Sequence, residues 1–143
     1  MLRNGILVLA LLTLAQLAAS QEDPQPVTKT AVCETAFTIP AQTAKTCSFD
    51  VPEGLRKVRL VGQFKATGGS GNTIEVWVMN DRQFADWQNQ HSVQALYNSQ
   101  KITQGSVNVF LTNPGKYHVV FNNDFSATAP KNVEANLTLR LIR

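Results

Sequence analysis

The stretch Val133-Glu134-Ala135-Asn136-Leu137-Thr138-Leu139-Arg140-Leu141 decides the fold class, because apolar residues occupy every second position. A period of two places the apolar side chains on one face of a β-strand and the polar ones on the other. Asn136 falls on the polar, outward face, within the sequon Asn136-Leu137-Thr138. In a protein of eukaryotic source, Asn136 would therefore be a reachable N-glycosylation site.

The same alternation recurs along the rest of the chain. It is clearest in these stretches: Phe37–Ile39, Cys47–Val51, Val58–Phe64, Ile74–Met79, Val107–Leu111 and Tyr117–Phe121. Turn-forming residues separate several of them, as in Asn113-Pro114-Gly115 and Asn122-Asn123-Asp124. About seven or eight short strands at this spacing predict an all-β fold, an antiparallel β-sandwich, rather than alternating strands and helices.

One segment departs from the strand pattern. Asn80 is followed three residues later by Gln83, which is typical of a helix N-terminus. Phe84 and Trp87 then lie three residues apart, and His91 comes one further turn on. We expect one short helical insert of two or three turns.

The N-terminus has the pattern of a secretory signal peptide over residues 1–20. Arg3 supplies the positive charge, and an apolar run follows from Ile6 to Leu17. The small residues Ala18-Ala19-Ser20 precede Gln21, so we expect cleavage near Ser20/Gln21. The apolar run is shorter than the roughly 20 residues that span a bilayer, so no membrane span is expected after cleavage. These features predict a secreted or periplasmic protein.

The remaining chain is expected to form one domain. Residues 21–30 contain two prolines and little apolar content, which predicts a flexible leader, and residues 31–143 form the sandwich. Removing Arg3 from the 13 basic residues leaves 12 against 10 acidic ones. Because these charges are interspersed along the sequence, no nucleic-acid partner is expected.

Cys33 and Cys47 are the two cysteines, 14 residues apart, and a secreted protein permits them to pair. They flank Ile39–Thr43, where a hairpin would bring them close. The Cys-x-x-Cys spacing of a redox centre is absent. We therefore expect a structural disulfide on the first hairpin.

The C-terminal third resembles a known family. Residues Asn113–Ser126, followed by Pro130-Lys131-Asn132-Val133, are similar to the closing hairpin of GOLD (Golgi-dynamics) domains. Such domains end in a Pro-Gly-x-Tyr strand, a Phe-Asp-Asn-x-Phe/Tyr-Ser turn and an alternating apolar strand. Asn122 stands where the family turn has Asp. The resemblance implies a compact β-sandwich and a role in binding or protein interaction rather than catalysis.

The chain stops at Arg143, directly after the alternating stretch. The coiled coil and membrane span of the cargo-transport members of the family do not follow, and the lipid-binding domain of the lipid-transfer members is absent. We therefore expect a GOLD-like domain in a stand-alone secreted form.

Motifs for catalysis and for cofactors are weak. His91 and Ser92 are adjacent with Asp86 nearby, but neighbouring side chains on a helix or strand do not face each other, and no Gly-x-Ser-x-Gly elbow occurs. His118 alternates with Tyr117 and should lie on a solvated strand face. The glycine-rich Thr67–Asn72 lacks the lysine of a phosphate-binding loop and should connect a hairpin. We expect no catalytic site, metal site or cofactor.

Aromatic and polar side chains concentrate in one part of the sequence. The candidate ligand-binding residues are Trp77, Asp81, Trp87, His91 and Tyr97. Exposed aromatic rings with polar neighbours are typical of sugar-binding and peptide-binding sandwiches. The alternative is that Phe84 and Trp87 simply hold the helix against one sheet.

The sequence thus favours a secreted or periplasmic, non-catalytic binding or interaction module with an unidentified protein or glycan partner. One alternative is a structural envelope or matrix protein that acts through assembly. The other is a carbohydrate-binding module that uses Trp87 and its neighbours.

Overall fold

The computed structural model describes residues 27–142, which form two antiparallel sheets and one short helix. In chain order the elements are β1 (Val27–Val32), β2 (Ala36–Ile39), β3 (Ala44–Val51), β4 (Lys57–Thr67), β5 (Ile74–Asn80), α1 (Asp81–Gln88), β6 (Tyr97–Ile102), β7 (Gln104–Phe110), β8 (Gly115–Asn122) and β9 (Lys131–Ile142). The all-β sandwich expected from the alternating pattern is confirmed, with nine strands in the described range.

The strands divide into a five-stranded and a four-stranded sheet. The five-stranded sheet has the order β1-β9-β4-β7. Along one edge of β9, β1 pairs with the C-terminal half of the strand and β2 pairs with the N-terminal half. The four-stranded sheet has the order β3-β8-β5-β6. β5 is central in its sheet, and both of its faces are largely apolar because one faces the core and α1 packs against the other.

The hydrophobic core lies between the two sheets. In β9 the apolar residues Val133, Ala135, Leu137 and Leu139 are buried, and the polar residues that alternate with them face away from the core. Phe121 of β8 is fully buried and meets the rings of Phe37 and Phe64 edge-on, with centroids 5.0 and 6.4 Å away. Burying one such side chain contributes about 1.5–3 kcal/mol. The alternation in the sequence therefore specifies which side of each sheet faces the core.

The flexible leader predicted for residues 21–30 is wrong for its last four residues. Val27–Thr30 belong to β1, which pairs antiparallel with β9 from Val27 opposite Ile142 to Val32 opposite Leu137. The side chains before Val32 are exposed, so the sequence of this strand lacks the alternating apolar residues that mark the other strands. It is held by backbone hydrogen bonds to β9, which sequence periodicity does not reveal. The signal peptide predicted for residues 1–20 lies outside the described residues.

Three connections that the sequence predicts as hairpins instead cross between the sheets. The turn within Ile39–Thr43 joins β2 to β3, Thr67–Asn72 joins β4 to β5, and the turn after Asn122 joins β8 to β9; each pair of strands is divided between the two sheets. Turn residues mark where the chain reverses but carry no information about which sheet receives the next strand. The segment that resembles a GOLD closing hairpin is therefore a crossover here.

The disulfide between Cys33 and Cys47 is confirmed, with Cα atoms 5.5 Å apart. Its predicted position on a hairpin is wrong. Cys33 follows β1 in the five-stranded sheet, whereas Cys47 lies in β3, the edge strand of the four-stranded sheet. The bond therefore ties the two layers of the sandwich together along one edge.

Candidate functional site

The helix begins where the sequence predicts. The side chain of Asn80 accepts a hydrogen bond from the backbone N–H of Gln83 at 2.8 Å, and the side chain of Gln83 accepts one from the backbone N–H of Asn80 at 2.9 Å. This reciprocal capping box satisfies two donors that a helix N-terminus otherwise leaves unpaired. The helix lies against β5 and β8, on the outer face of the four-stranded sheet.

His118 lies beneath this helix, so the prediction of a solvated position is wrong. It does point away from the core, opposite Tyr117, but only 5% of the residue is exposed. Its Nδ1 lies 2.8 Å from Ser48 Oγ, its Nε2 lies 2.8 Å from Asp81 Oδ1, and the Phe84 ring stacks on the imidazole at 4.1 Å. Alternation in the sequence gives the face of a strand correctly, but it does not show that a helix covers that face.

The contacts of His118 define its tautomer. The carboxylate of Asp81 only accepts, so Nε2 carries the hydrogen, and in the neutral ring Nδ1 accepts from the Ser48 hydroxyl. A hydroxyl, an imidazole and a carboxylate in this order also occur in nucleophilic serine sites. Here Phe84 covers one face of the imidazole, and the groups come from β3, β8 and α1. The contacts therefore fasten the helix to two strands of the sheet.

The predicted aromatic cluster is divided, because Tyr97 faces the core whereas Trp77 and Trp87 lie on the outer side of the four-stranded sheet. Tyr97 pairs with Val78 and packs against the core, and burial raises the pKa of its hydroxyl above the ordinary value. Trp77 lies on the opposite face of the sheet, and its Nε1 is buried without a hydrogen-bond partner. Trp87 stacks on Phe84, with ring centroids 6.1 Å apart.

The two polar members of the cluster also face different groups. Asp81 binds His118, as described above, while exposed His91 lies 3.6 Å from the Asp86 carboxylate. The contacts of Phe84 and Trp87 agree with the alternative in which these rings hold the helix on the sheet.

The side chains of the Asn122-Asn123-Asp124 turn have a structural role. The Asn123 side chain is fully buried and donates to the carbonyls of Pro40 and Ala129 at 3.1 and 3.0 Å. Asn122 donates to Asp124 at 2.8 Å. These amide groups hold the crossover between β8 and β9 rather than projecting together into solvent. Within residues 27–142, no group of three or more metal-ligating side chains comes together.

A site that the sequence did not predict lies on the other sheet. A groove of about 820 Å³ runs over the outer face of the five-stranded sheet, across β4, β7 and β9, beside the start of β2. Its outward-facing polar residues are Gln63, Lys65, Gln104, Ser106, Glu134 and Asn136. Ligand sites in proteins occupy about 300–1,000 Å³, so this groove is of an appropriate size.

The strand register explains why these residues share one groove. Gln63 of β4 lies opposite both Ser106 of β7 and Asn136 of β9. Lys65, two residues along β4, lies opposite Gln104 and Glu134. On β4 and β9 these positions alternate with buried residues such as Phe64 and Ala135, and on β7 Ser106 precedes buried Val107. The polar side chains therefore line the floor of the groove from three strands. Exposure of Asn136, predicted from the alternation, is confirmed.

This groove is rich in groups that donate and accept hydrogen bonds. Each amide of Gln63, Gln104 and Asn136 offers two donors and one carbonyl acceptor, and Ser106 adds a hydroxyl. The sequence signal was present, as polar residues at alternate positions. It could not be recognised as a site because the contributing strands are distant in sequence.

Within the described range, no helix is long and apolar enough to cross a membrane. Neither a protein-family model nor a curated protein matches the sequence. The resemblance to GOLD domains thus remains a prediction based on the C-terminal residues.

Proposed function

We propose that the chain is a secreted, non-catalytic binding module whose ligand is a glycan held on the outer face of the five-stranded sheet. The observation that carries this proposal is the groove lined by Gln63, Gln104, Ser106 and Asn136. Sugar hydroxyls both donate and accept hydrogen bonds, and amide side chains do the same from one planar group. The groove thus offers hydrogen-bonding partners of the kind that a polyhydroxylated ligand requires.

Secretion is proposed on separate grounds. The N-terminal residues have the signal-peptide pattern, and the Cys33–Cys47 disulfide fits an oxidising compartment. In such a compartment, glycans of the cell surface or matrix are available as partners. The proposal differs from the carbohydrate-binding alternative based on Trp87, because Trp87 packs on Phe84 and lies on the other sheet.

Calorimetric titration with a panel of neutral and charged oligosaccharides tests the proposal. The variants Gln63→Ala and Asn136→Ala should weaken binding, since each removes three hydrogen-bonding sites from the groove floor. The matched control is Gln88→Ala, which removes an exposed amide from the helix on the other sheet. The protein should be produced in bacteria so that Asn136 carries no glycan.

Binding that is lost in the groove variants and retained in Gln88→Ala would support the proposal. A panel without any binding, or equal binding by all variants, would overturn it. If the purified protein fails to bind but its mass grows with concentration, the structural alternative that acts through assembly is favoured.

A further inference from the structure

We infer that the ligand of this sheet face is an acidic polysaccharide, whose sulfate or carboxylate groups bind a row of cations beside the groove. The inference rests on the proposed function and names the class of glycan. The row consists of Lys29, Arg140 and Arg59, with Lys57 next to it on β4. We call these four residues the cationic row.

The strand register places these charges side by side. Lys29 of β1 lies opposite Arg140 of β9, and Arg140 lies opposite Arg59 of β4. Neighbouring strands are about 4.8 Å apart, so three cations stand on three consecutive strands. Lys57 is two residues from Arg59 and therefore on the same face, about 6.6 Å further along the strand. Three of the four side chains are exposed and Arg59 is half-buried.

These cations lack acidic partners within residues 27–142. The ion pairs in that range are Lys45–Glu34, His91–Asp86 and His118–Asp81, none of which involves the cationic row. Glu53 and Lys57 line a second, smaller pocket without forming an ion pair. Like charges directly opposite each other on a sheet are destabilising, so the fold gains nothing from this arrangement. An anionic ligand would offset the repulsion.

Arg59 is also held in position. Its guanidinium lies over the ring of Phe110, 4.1 Å from the centroid, and Phe110 faces it directly on β7. Phe110 is 55% exposed, so the ring remains accessible beside the charge. A guanidinium that is oriented in advance loses less side-chain freedom when it binds a planar or tetrahedral anion.

The cationic row and the groove form one continuous surface. Arg59 and Gln63 lie on the same face of β4, four residues apart, and Arg140 and Asn136 are related in the same way on β9. Four residues of strand span about 13 Å. A ligand that reaches both parts must therefore be a chain that carries hydroxyls and negative charges together. Acidic polysaccharides have this combination, whereas a phospholipid bilayer presents its negative charges in a headgroup layer without a hydroxyl-bearing chain that could enter the groove.

Titration with dextran and with dextran sulfate of equal length tests the inference. Both polymers offer the same sugar units, and only the second carries anions. We expect the protein to bind dextran sulfate about tenfold or more tightly than dextran, with an affinity that falls as salt is added. The double variant Arg59→Gln/Arg140→Gln should lose that preference.

A matched control removes the same charge from elsewhere. Lys101 and Lys116 are exposed and lie on the four-stranded sheet, so Lys101→Gln/Lys116→Gln should keep the preference for dextran sulfate. A second pair, Lys29→Gln/Lys57→Gln, replaces only exposed side chains. It should weaken binding even if the arginine variant does not fold.

Equal loss in the control and in the cationic-row variants would overturn the inference, because net charge alone would then explain binding. Binding of both polymers with equal affinity, lost in Gln63→Ala, would overturn the inference and leave the proposed function standing. Tighter binding to anionic vesicles or duplex DNA through the same residues would overturn the assignment to a polysaccharide.

Discussion

Removal of the Cys33–Cys47 disulfide should destabilise the sandwich substantially. The bond closes a loop between residues 14 apart, and a loop of about this size loses enough freedom in the unfolded chain to contribute about 3 kcal/mol. It also joins the edges of the two sheets. The double variant Cys33→Ala/Cys47→Ala should therefore unfold with a free energy lower by about 3 kcal/mol.

Cys33 provides an internal control for this prediction. Its φ angle is +71°, in the left-handed region that favours glycine. In the absence of the disulfide, alanine at position 33 keeps that strain and glycine relieves it. Cys33→Gly/Cys47→Ala should therefore be more stable than the alanine pair. The expected difference is about 0.5–1 kcal/mol, which is the strain relieved by glycine minus the cost of its greater freedom in the unfolded chain.

Urea unfolding followed by circular dichroism measures both differences, with the wild type studied in oxidised and reduced form. The reduced wild type should resemble the alanine pair. A loss below about 1 kcal/mol in the alanine pair would refute the loop-closure reasoning. A glycine variant less stable than the alanine variant would refute the assignment of strain to position 33.

Three further predictions concern the helix, the buried tyrosine and the serine. Asn80→Ala should lower the unfolding free energy by about 1 kcal/mol, because it removes the helix cap, and Gln88→Ala should leave it unchanged in the same urea assay. Because burial raises the pKa of Tyr97 above 10.0, this group contributes stability that is present below pH 10 and lost as the pH rises further. Tyr97→Phe should remove that loss, so the stability gap between wild type and variant should shift in the variant's favour between pH 8 and pH 11; a constant gap would contradict the prediction. A serine-directed fluorophosphonate should leave Ser48 unlabelled by mass spectrometry, whereas labelling that disappears in His118→Ala would indicate catalysis.

The fold class and the helix start could be predicted because their signals are local. A strand shows its two faces within five or six residues, and the Asn80–Gln83 capping box needs only four. The arrangement of strands could not be predicted in this way. Turns such as Thr67–Asn72 have the same composition whether the next strand joins the same sheet or the opposite one, and so the expected hairpins became crossovers.

The candidate sites show the same division between local and distant signals. Alternation in the sequence places His118 on the correct face of its strand, but only the packed helix buries it. Lys29 and Arg140 come from opposite ends of the described chain and become neighbours through the pairing of β1 with β9. Charges that are interspersed in sequence are thus concentrated in space. Conversely, residues close in sequence, such as Trp77 and Tyr97, were separated onto opposite faces of one sheet.

We propose the outer face of the five-stranded sheet as the binding surface. Backbone amide shifts of isotope-labelled protein, recorded during titration with dextran sulfate oligomers, test it most directly. We expect shift changes concentrated on β4, β7 and β9, from Arg59 to Lys65 and from Glu134 to Arg140. Changes concentrated instead around Trp87 and the helix, with β4 and β9 unaffected, would contradict it.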